Sequence, residues 1–133
     1  MNRSAYYKNL FLIGGIWNIA AAFPVWLGGI LMPEFSFGFF GINPPAVLFP
    51  YHAMFWFIIA FGIGYLIVSR DITKNHGVVV IGITAKTLFF IDCVITLALN
   101  QANVLLLLVG TVDMIFVSLF VEFLLSVRKG LVK

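Results

Sequence analysis

Four long apolar stretches limit what this chain can fold into more than any other feature of its sequence. Each is close to the length of about 20 residues that an α-helix needs to cross the hydrocarbon core of a bilayer. In lipid every backbone polar group must find a partner within the protein, which leaves helices and closed barrels as the spanning structures. The sequence therefore predicts an all-α, four-helix transmembrane bundle, a single domain over residues 1–133 with helices at about 10–32, 51–69, 77–99 and 104–127.

The composition supports this interpretation. Hydrophobic residues make up 62% of the 133 residues and charged residues only 10%, whereas a soluble domain has about 25% charged residues. A chain with so few charges could not cover its own surface in water, so we expect membrane lipids to be its main partners. The net charge of +3 is small and the basic residues are dispersed, which gives no indication of nucleic-acid binding.

The basic residues are distributed unevenly between the predicted connections. None lies in the first or the third connection, and seven of the eight lie before the first helix, in the second connection or after the fourth helix: Arg3, Lys8, Arg70, Lys74, Arg128, Lys129 and Lys133. Loops rich in Lys and Arg tend to stay on the cytoplasmic side of a membrane. The pattern predicts a multi-pass protein of the cell inner (plasma) membrane with both termini in the cytoplasm.

The first connection, residues 33–50, is the only long one. Pro44 and Pro45 prevent a continuous helix, because proline has no N–H and restricts the residue before it. The aromatic residues of this connection suit the boundary between lipid headgroups and acyl chains. We expect an interfacial segment that covers one mouth of the bundle, and the sequence leaves open whether it acts as a lid or only fills space.

Two ionisable residues lie near the middle of predicted spans. Lys86 is about 13 Å from the cytoplasmic end of the third helix, and Asp113 is about 13 Å from the outer end of the fourth. The short connection between these helices makes them an antiparallel hairpin, so the two side chains can meet near the midplane. Asn18 in the first helix has a similar depth. The sequence predicts a polar core of Asn18, Lys86 and Asp113.

A glycine lies about one helical turn from each of these polar residues, at Gly14, Gly82 and Gly110. Residues at this spacing share a helix face, and small residues let helices approach closely in membranes. The polar faces are therefore expected to be the packing faces. Two interpretations remain open: the polar core only fixes the register of the helices, or it forms a functional site, as ionisable residues within membranes generally do.

Asp92 in the third helix and His52 at the outer start of the second are candidates for a proton relay. Asp92 is about 120° around the helix from Lys86, so the two side chains do not lie on the same face of the third helix. Two such ligands are too few for a closed zinc site, and no metal site is predicted. Catalytic signatures are also lacking, so we predict no catalytic residue and no particular cofactor, and an enzyme is the least favoured class.

Several segments resemble small, uncharacterised bacterial four-helix membrane proteins, and the hydropathy pattern is similar to that of DoxX-like proteins. The segments are LFLIGGIWNIAA, FGIGYLIVSRD and GITAKTLFF, together with the Asp of GTVDMIF. The resemblance covers most of the chain and implies a role linked to quinones, redox chemistry or stress. It assigns no catalytic residue to a position of this sequence.

Three functions are compatible with these features. The first is a protein whose polar core lines a cavity for a small apolar or amphipathic molecule, such as a lipid or a quinone, with aromatic residues as the apolar walls. The second is a proton-coupled or ion-conducting transporter, expected to be a homo-oligomer, in which Asp113 or Asp92 titrates. The third is a structural or accessory subunit of a membrane complex, for which a dry and fully packed core is expected.

Overall fold

The computed structural model of the chain describes residues 3–132. Over this range all regular secondary structure is helical, without a strand, and four of the helices are long and apolar enough to cross a membrane. The prediction of an all-α chain with four candidate spans is therefore confirmed. The helices are α1 (Arg3–Leu31), α2 (Pro33–Phe39), α3 (Phe49–Arg70), α4 (His76–Ala98) and α5 (Val104–Arg128).

Local chemistry sets the ends of these helices. Proline occupies the first turn of α2 and of α3, where the missing N–H costs no hydrogen bond. Asn75 adopts the left-handed conformation directly before α4, with φ of 61°, which asparagine tolerates better than most residues. Asn103 is the N-cap of α5, because its side-chain oxygen accepts a hydrogen bond from the backbone N of Leu105 at 3.0 Å.

The long helices form two pairs, in which α1 packs along α3 and α4 packs along α5. Two glycines allow the backbones of the first pair to touch. A Cβ added at Gly15 would lie 2.8 Å from the carbonyl oxygen of Gly62, and one added at Gly62 would lie 3.0 Å from the carbonyl oxygen of Gly15. Contacts of this length leave no room for a side chain, so glycine at both positions fixes the spacing of α1 and α3.

The hydrophobic core lies at one end of the bundle, formed by the start of α1, the end of α3, the start of α4 and the end of α5. We call this end the closed half. Phe11 stacks on Phe120, with ring centroids 4.9 Å apart, and meets Phe123 edge-on at 4.8 Å. The buried residues of this cluster are Tyr7, Leu10, Phe11, Tyr65, Val68, Ile72, Val79, Phe120 and Phe123.

The opposite end contains α2, the rest of the connection to α3, and the turn between α4 and α5. We call it the cavity half. The connection predicted as one interfacial segment begins here with α2, which starts at Pro33 directly after α1. Gly41 then turns the chain with a positive φ of 70°, and residues 42–48 return to α3 without regular helix. This arrangement places α2 across the mouth of the bundle.

Candidate functional site

A cavity of about 810 Å³ occupies the cavity half. All five helices contribute to its wall, together with Ile42 from the connection after α2. Most of the wall is apolar, and its aromatic members are Trp17, Phe37, Phe40, Tyr51, Phe55, Phe57, Phe61, Tyr65 and Phe89. Pockets that bind small molecules have volumes of about 300–1,000 Å³ and a similar mixture of apolar walls and a few polar groups.

The floor of the cavity is the polar core of Asn18, Lys86 and Asp113, which the structure brings together from three helices. Lys86 is only 7% exposed. Its Nζ forms an ion pair with Oδ1 of Asp113 and donates a hydrogen bond to Oδ1 of Asn18 at 3.3 Å. All three residues line the cavity, so the ion pair is accessible to a molecule inside it.

Asn18 also connects the polar core to α3, the one long helix that contributes none of its three residues. Its Nδ2 donates a hydrogen bond to the backbone oxygen of Ile58 in α3 at 3.3 Å. The Lys86 ammonium also lies 5.4 Å from the centroid of the Phe116 ring, a distance at which the face of the ring attracts a cation. The cluster thus joins α1, α3, α4 and α5 at the boundary between the closed half and the cavity half.

Small residues around the polar core make room for large rings. A Cβ added at Gly82 would lie 2.3 Å from the Tyr65 hydroxyl oxygen, so this glycine gives the Tyr65 ring its place beside Lys86. A Cβ added at Gly110 would lie 3.2 Å from Sγ of the buried Cys93. The sequence pattern of a glycine beside each polar residue therefore corresponds to close helix contact around the core.

The connection after α1 closes the cavity from above. Asn103 holds it to the start of α5: its Nδ2 donates to the Phe39 oxygen at 2.9 Å, and its backbone N donates to the Phe40 oxygen at 2.8 Å. On the other side, the Phe37 ring of this segment packs against the Tyr51 ring of α3, with centroids 4.9 Å apart, and the Tyr51 hydroxyl donates to the Val25 oxygen of α1 at 2.5 Å. The segment is thereby fixed to both helix pairs, and Phe37 and Phe40 from it contribute to the cavity wall.

The two members of the predicted proton relay occupy different environments. Asp92 lines the cavity. The Nδ1 atom of His52 accepts a hydrogen bond from Nε1 of Trp26 at 3.0 Å, and the Trp26 ring packs against Trp56 with centroids 4.9 Å apart. Within residues 3–132 no hydrogen bond joins His52 to Asp92, and His52 is not among the residues that line the cavity.

A second polar contact lies in the closed half, away from the cavity. The Tyr7 hydroxyl donates to Oε1 of Glu122 at 2.9 Å and shares a hydrogen bond of 2.7 Å with the hydroxyl of Ser126. This contact ties α1 to α5 at the end of the bundle. Among the described residues, no group of three or more His, Cys, Asp or Glu side chains could hold a metal ion.

Comparisons with protein-family models, with curated proteins and with solved structures gave no match to this chain. The fold and the site define an all-helical protein with four candidate membrane spans and a cavity whose floor is an ion pair. The geometry of that cavity is therefore the basis for a functional proposal.

Proposed function

We propose that this chain is a multi-pass membrane protein that binds a small apolar or amphipathic molecule, such as a lipid or a quinone, in the cavity. The observation that supports this function is the combination of an 810 Å³ space with aromatic walls and a polar floor. Such a space matches a molecule that has one polar end and an apolar body. The resemblance to DoxX-like proteins points in the same direction, because it implies a link to quinones.

The polar floor offers a specific contact to the ligand. An ammonium group has three hydrogen-bond donors, and the Lys86 ammonium uses donors toward Asp113 and Asn18. A third donor remains for an acceptor within the cavity, such as a carbonyl or ester oxygen. A polar acceptor of the ligand can therefore bind at Lys86, while its apolar body lies among the rings of the cavity half.

The proposed membrane is the cell inner membrane, with both termini in the cytoplasm. Six described basic residues support this orientation, because the ends of α1 and α5 and the turn after α3 bring them to one end of the bundle: Arg3, Lys8, Arg70, Lys74, Arg128 and Lys129. The opposite mouth has none. Cytoplasmic loops of membrane proteins show this excess of positive charge.

Cysteine labelling in whole cells tests the orientation. In a Cys93→Ser background, Asn43→Cys should react with an impermeant maleimide, because Asn43 is exposed in the connection after α2. Thr73→Cys, which is exposed in the turn after α3, should react only after the cells are lysed. The reverse pattern would show that the chain is inserted the other way.

The binding function is tested by filling the cavity. Ala85 lines it, whereas Ala20 is exposed on α1 outside the lining. The purified protein should retain an amphipathic molecule that solvent extraction and mass spectrometry detect at about one per chain. Ala85→Trp should lose it, and Ala20→Trp should keep it. The proposal fails if the wild-type protein yields no such molecule and also does not bind added decylubiquinone.

One observation also favours a proton-coupled carrier as a second candidate. Asp92 and Asp113 line the same cavity, while the closed half is filled by aromatic side chains. A carrier whose site is sealed from one side of the membrane has this arrangement. Proton flux in liposomes that depends on an added amphiphile and disappears in Asp92→Asn would support the carrier. Binding of the amphiphile without proton flux would support only the binding function.

A further inference from the structure

One carboxylate in the cavity is left without a partner. Asp92 belongs to a row on α4 with Ala85, Phe89 and Thr96, and all four line the cavity. Their spacing of three or four residues places them on one helix face. Within residues 3–132 the Asp92 carboxylate forms no hydrogen bond and no ion pair; only its backbone oxygen is used, by the Thr96 hydroxyl at 2.7 Å.

This carboxylate gives the cavity a net negative charge. By residue type, the lining contains one basic residue, Lys86, and two acidic residues, Asp92 and Asp113. The charges of Lys86 and Asp113 cancel in their ion pair. Asp92 therefore contributes one unbalanced negative charge.

The unbalanced charge lies apart from the cationic group of Lys86. Six residues along α4 separate Asp92 from Lys86, a rise of about 9 Å toward the cavity mouth. Phe89 lies between them on the cavity wall, and Phe40 lines the same space from the connection. Asp92 is exposed on α4 and lines the cavity, so an opposite charge can approach its carboxylate.

We propose that the cavity selects a lipophilic organic cation, such as an aromatic quaternary phosphonium or an ammonium amphiphile, with Asp92 as its counter-ion. This inference rests on the proposed binding function and narrows the ligand class from any amphiphile to a cationic one. Aromatic ring faces attract cations within about 6 Å, so the rings of the wall and the Asp92 carboxylate favour the same kind of guest. An anion of equal size and shape is disfavoured by the same charge.

The test uses three probes of similar bulk that differ in charge: tetraphenylphosphonium, tetraphenylborate and neutral triphenylphosphine oxide. Binding is measured by equilibrium dialysis to the purified full chain, with empty micelles of the same detergent as the blank. The cation should bind, the anion should not, and Asp92→Asn should weaken cation binding by about tenfold. Asp92→Glu should restore most of it.

A matched control shows whether cation binding depends on the charge at Asp92 or on the total negative charge of the protein. Glu34→Gln removes a negative charge from the exposed surface of α2, outside the cavity lining. This variant should bind the cation as the wild type does. Circular dichroism and the melting temperature of each variant confirm that the bundle is folded, which is expected because Asp92 is exposed and has no protein partner to lose.

The possible failures are distinguishable. Equal binding of cation and anion, or unchanged cation binding in Asp92→Asn, would overturn the charge selectivity. Binding of triphenylphosphine oxide or decylubiquinone without binding of the cation would overturn it as well, while the proposed binding function would stand. No binding of any of these probes would contradict both.

Discussion

The closed half and the cavity half are built from the same four long helices but fill the space between them differently. In the closed half, the Phe11 ring packs against both Phe120 and Phe123, with centroid distances below 5 Å. In the cavity half, aromatic rings instead line an open space of about 810 Å³. Both halves are rich in aromatic residues, so apolarity alone does not decide whether a bundle is packed or hollow.

Glycines make room for aromatic rings in both halves. In and beside the closed half, Tyr65 lies at Gly82 and Phe116 lies at Gly14, and in the cavity half Tyr51 lies at Gly29. The halves differ in that the segment after α1 lies across the mouth of the cavity half, where Asn103 at the start of α5 binds it and its Phe37 packs against Tyr51 of α3. Stability is therefore expected to depend on the closed half, and ligand binding on the cavity half.

The largest effect is expected at the boundary between the halves. Asp113→Leu would leave the buried Lys86 ammonium without its carboxylate and should lower the free energy of unfolding by about 3–5 kcal/mol. Adding Lys86→Met should restore most of the loss, because it removes the orphaned charge. Unfolding by sodium dodecyl sulfate in mixed micelles measures both variants.

Asp92→Leu is the matched control for that experiment. Its carboxylate has no described partner, so its loss should change stability by no more than about 0.5 kcal/mol. If Asp113→Leu were as mild as Asp92→Leu, the ion pair would not hold the two halves together.

Removal of one ring from each half gives the next largest effect. Phe120 is fully buried in the closed half, and Phe120→Ala should destabilise the bundle by about 3 kcal/mol through the space it leaves. Phe89→Ala in the cavity wall should cost less than about 1 kcal/mol, since that ring already borders an open space. Thermal unfolding in detergent compares them, and equal losses would remove the distinction between the halves.

A single methyl group tests the contact between α1 and α3. Gly15→Ala places a Cβ 2.8 Å from a backbone oxygen of α3, so it should destabilise the bundle by about 1–3 kcal/mol. Gly77→Ala has open space around its new Cβ and should be neutral or slightly stabilising because alanine favours the helix. A neutral Gly15→Ala would show that the two helices are not in backbone contact.

The attachment of the roof should have a smaller and more local effect. Asn103→Ala removes the N-cap of α5 and the bond from Nδ2 to the Phe39 oxygen, at a cost of about 1 kcal/mol. Amide hydrogen exchange should accelerate over residues 33–42 while the closed half stays protected. Gln101→Ala, an exposed change in the same turn, should leave the exchange unaltered; acceleration in both would indicate that the turn as a whole is weakened.

The smallest effect concerns the turn after α3. The Thr73 hydroxyl and then Lys74 stabilise the ionised carboxylate of Asp71 and hold its pKa below its usual range. A lowered pKa in the folded state gives stability that is present above the unfolded value of about 4 and is lost as the pH falls toward the folded value. Melting temperatures should therefore fall slightly more steeply below pH 4 in the wild type than in Asp71→Asn; parallel curves would contradict this.

The polar core could be anticipated from the sequence because two constraints act together. Distance along each helix gives the depth of Lys86 and Asp113, and the short turn between α4 and α5 forces their helices to be antiparallel neighbours. The number and type of helices followed from the length of the apolar runs. These features are local or depend on one hairpin, so they do not require knowledge of how the whole bundle packs.

The cavity could not be anticipated in the same way, because it depends on the rotation of each helix about its axis. Gly14 and Gly15 differ by one position, and only Gly15 lies against the α3 backbone. Asp92 was expected to lie off the face of Lys86, but a cavity wide enough to span neighbouring rows of α4 includes both. Asn103 could have been identified by its position before an apolar helix, where asparagine is a preferred N-cap.

The most direct measurement is an experimental structure of the protein in a lipid bilayer, at a resolution that shows what touches the Lys86 ammonium. Lys86 is expected to pair with Asp113 and Asn18, and a bound amphiphile is expected to fill the cavity among the aromatic rings. A cavity half closed by packed side chains, or Lys86 and Asp113 turned toward lipid without contact, would contradict the proposed site.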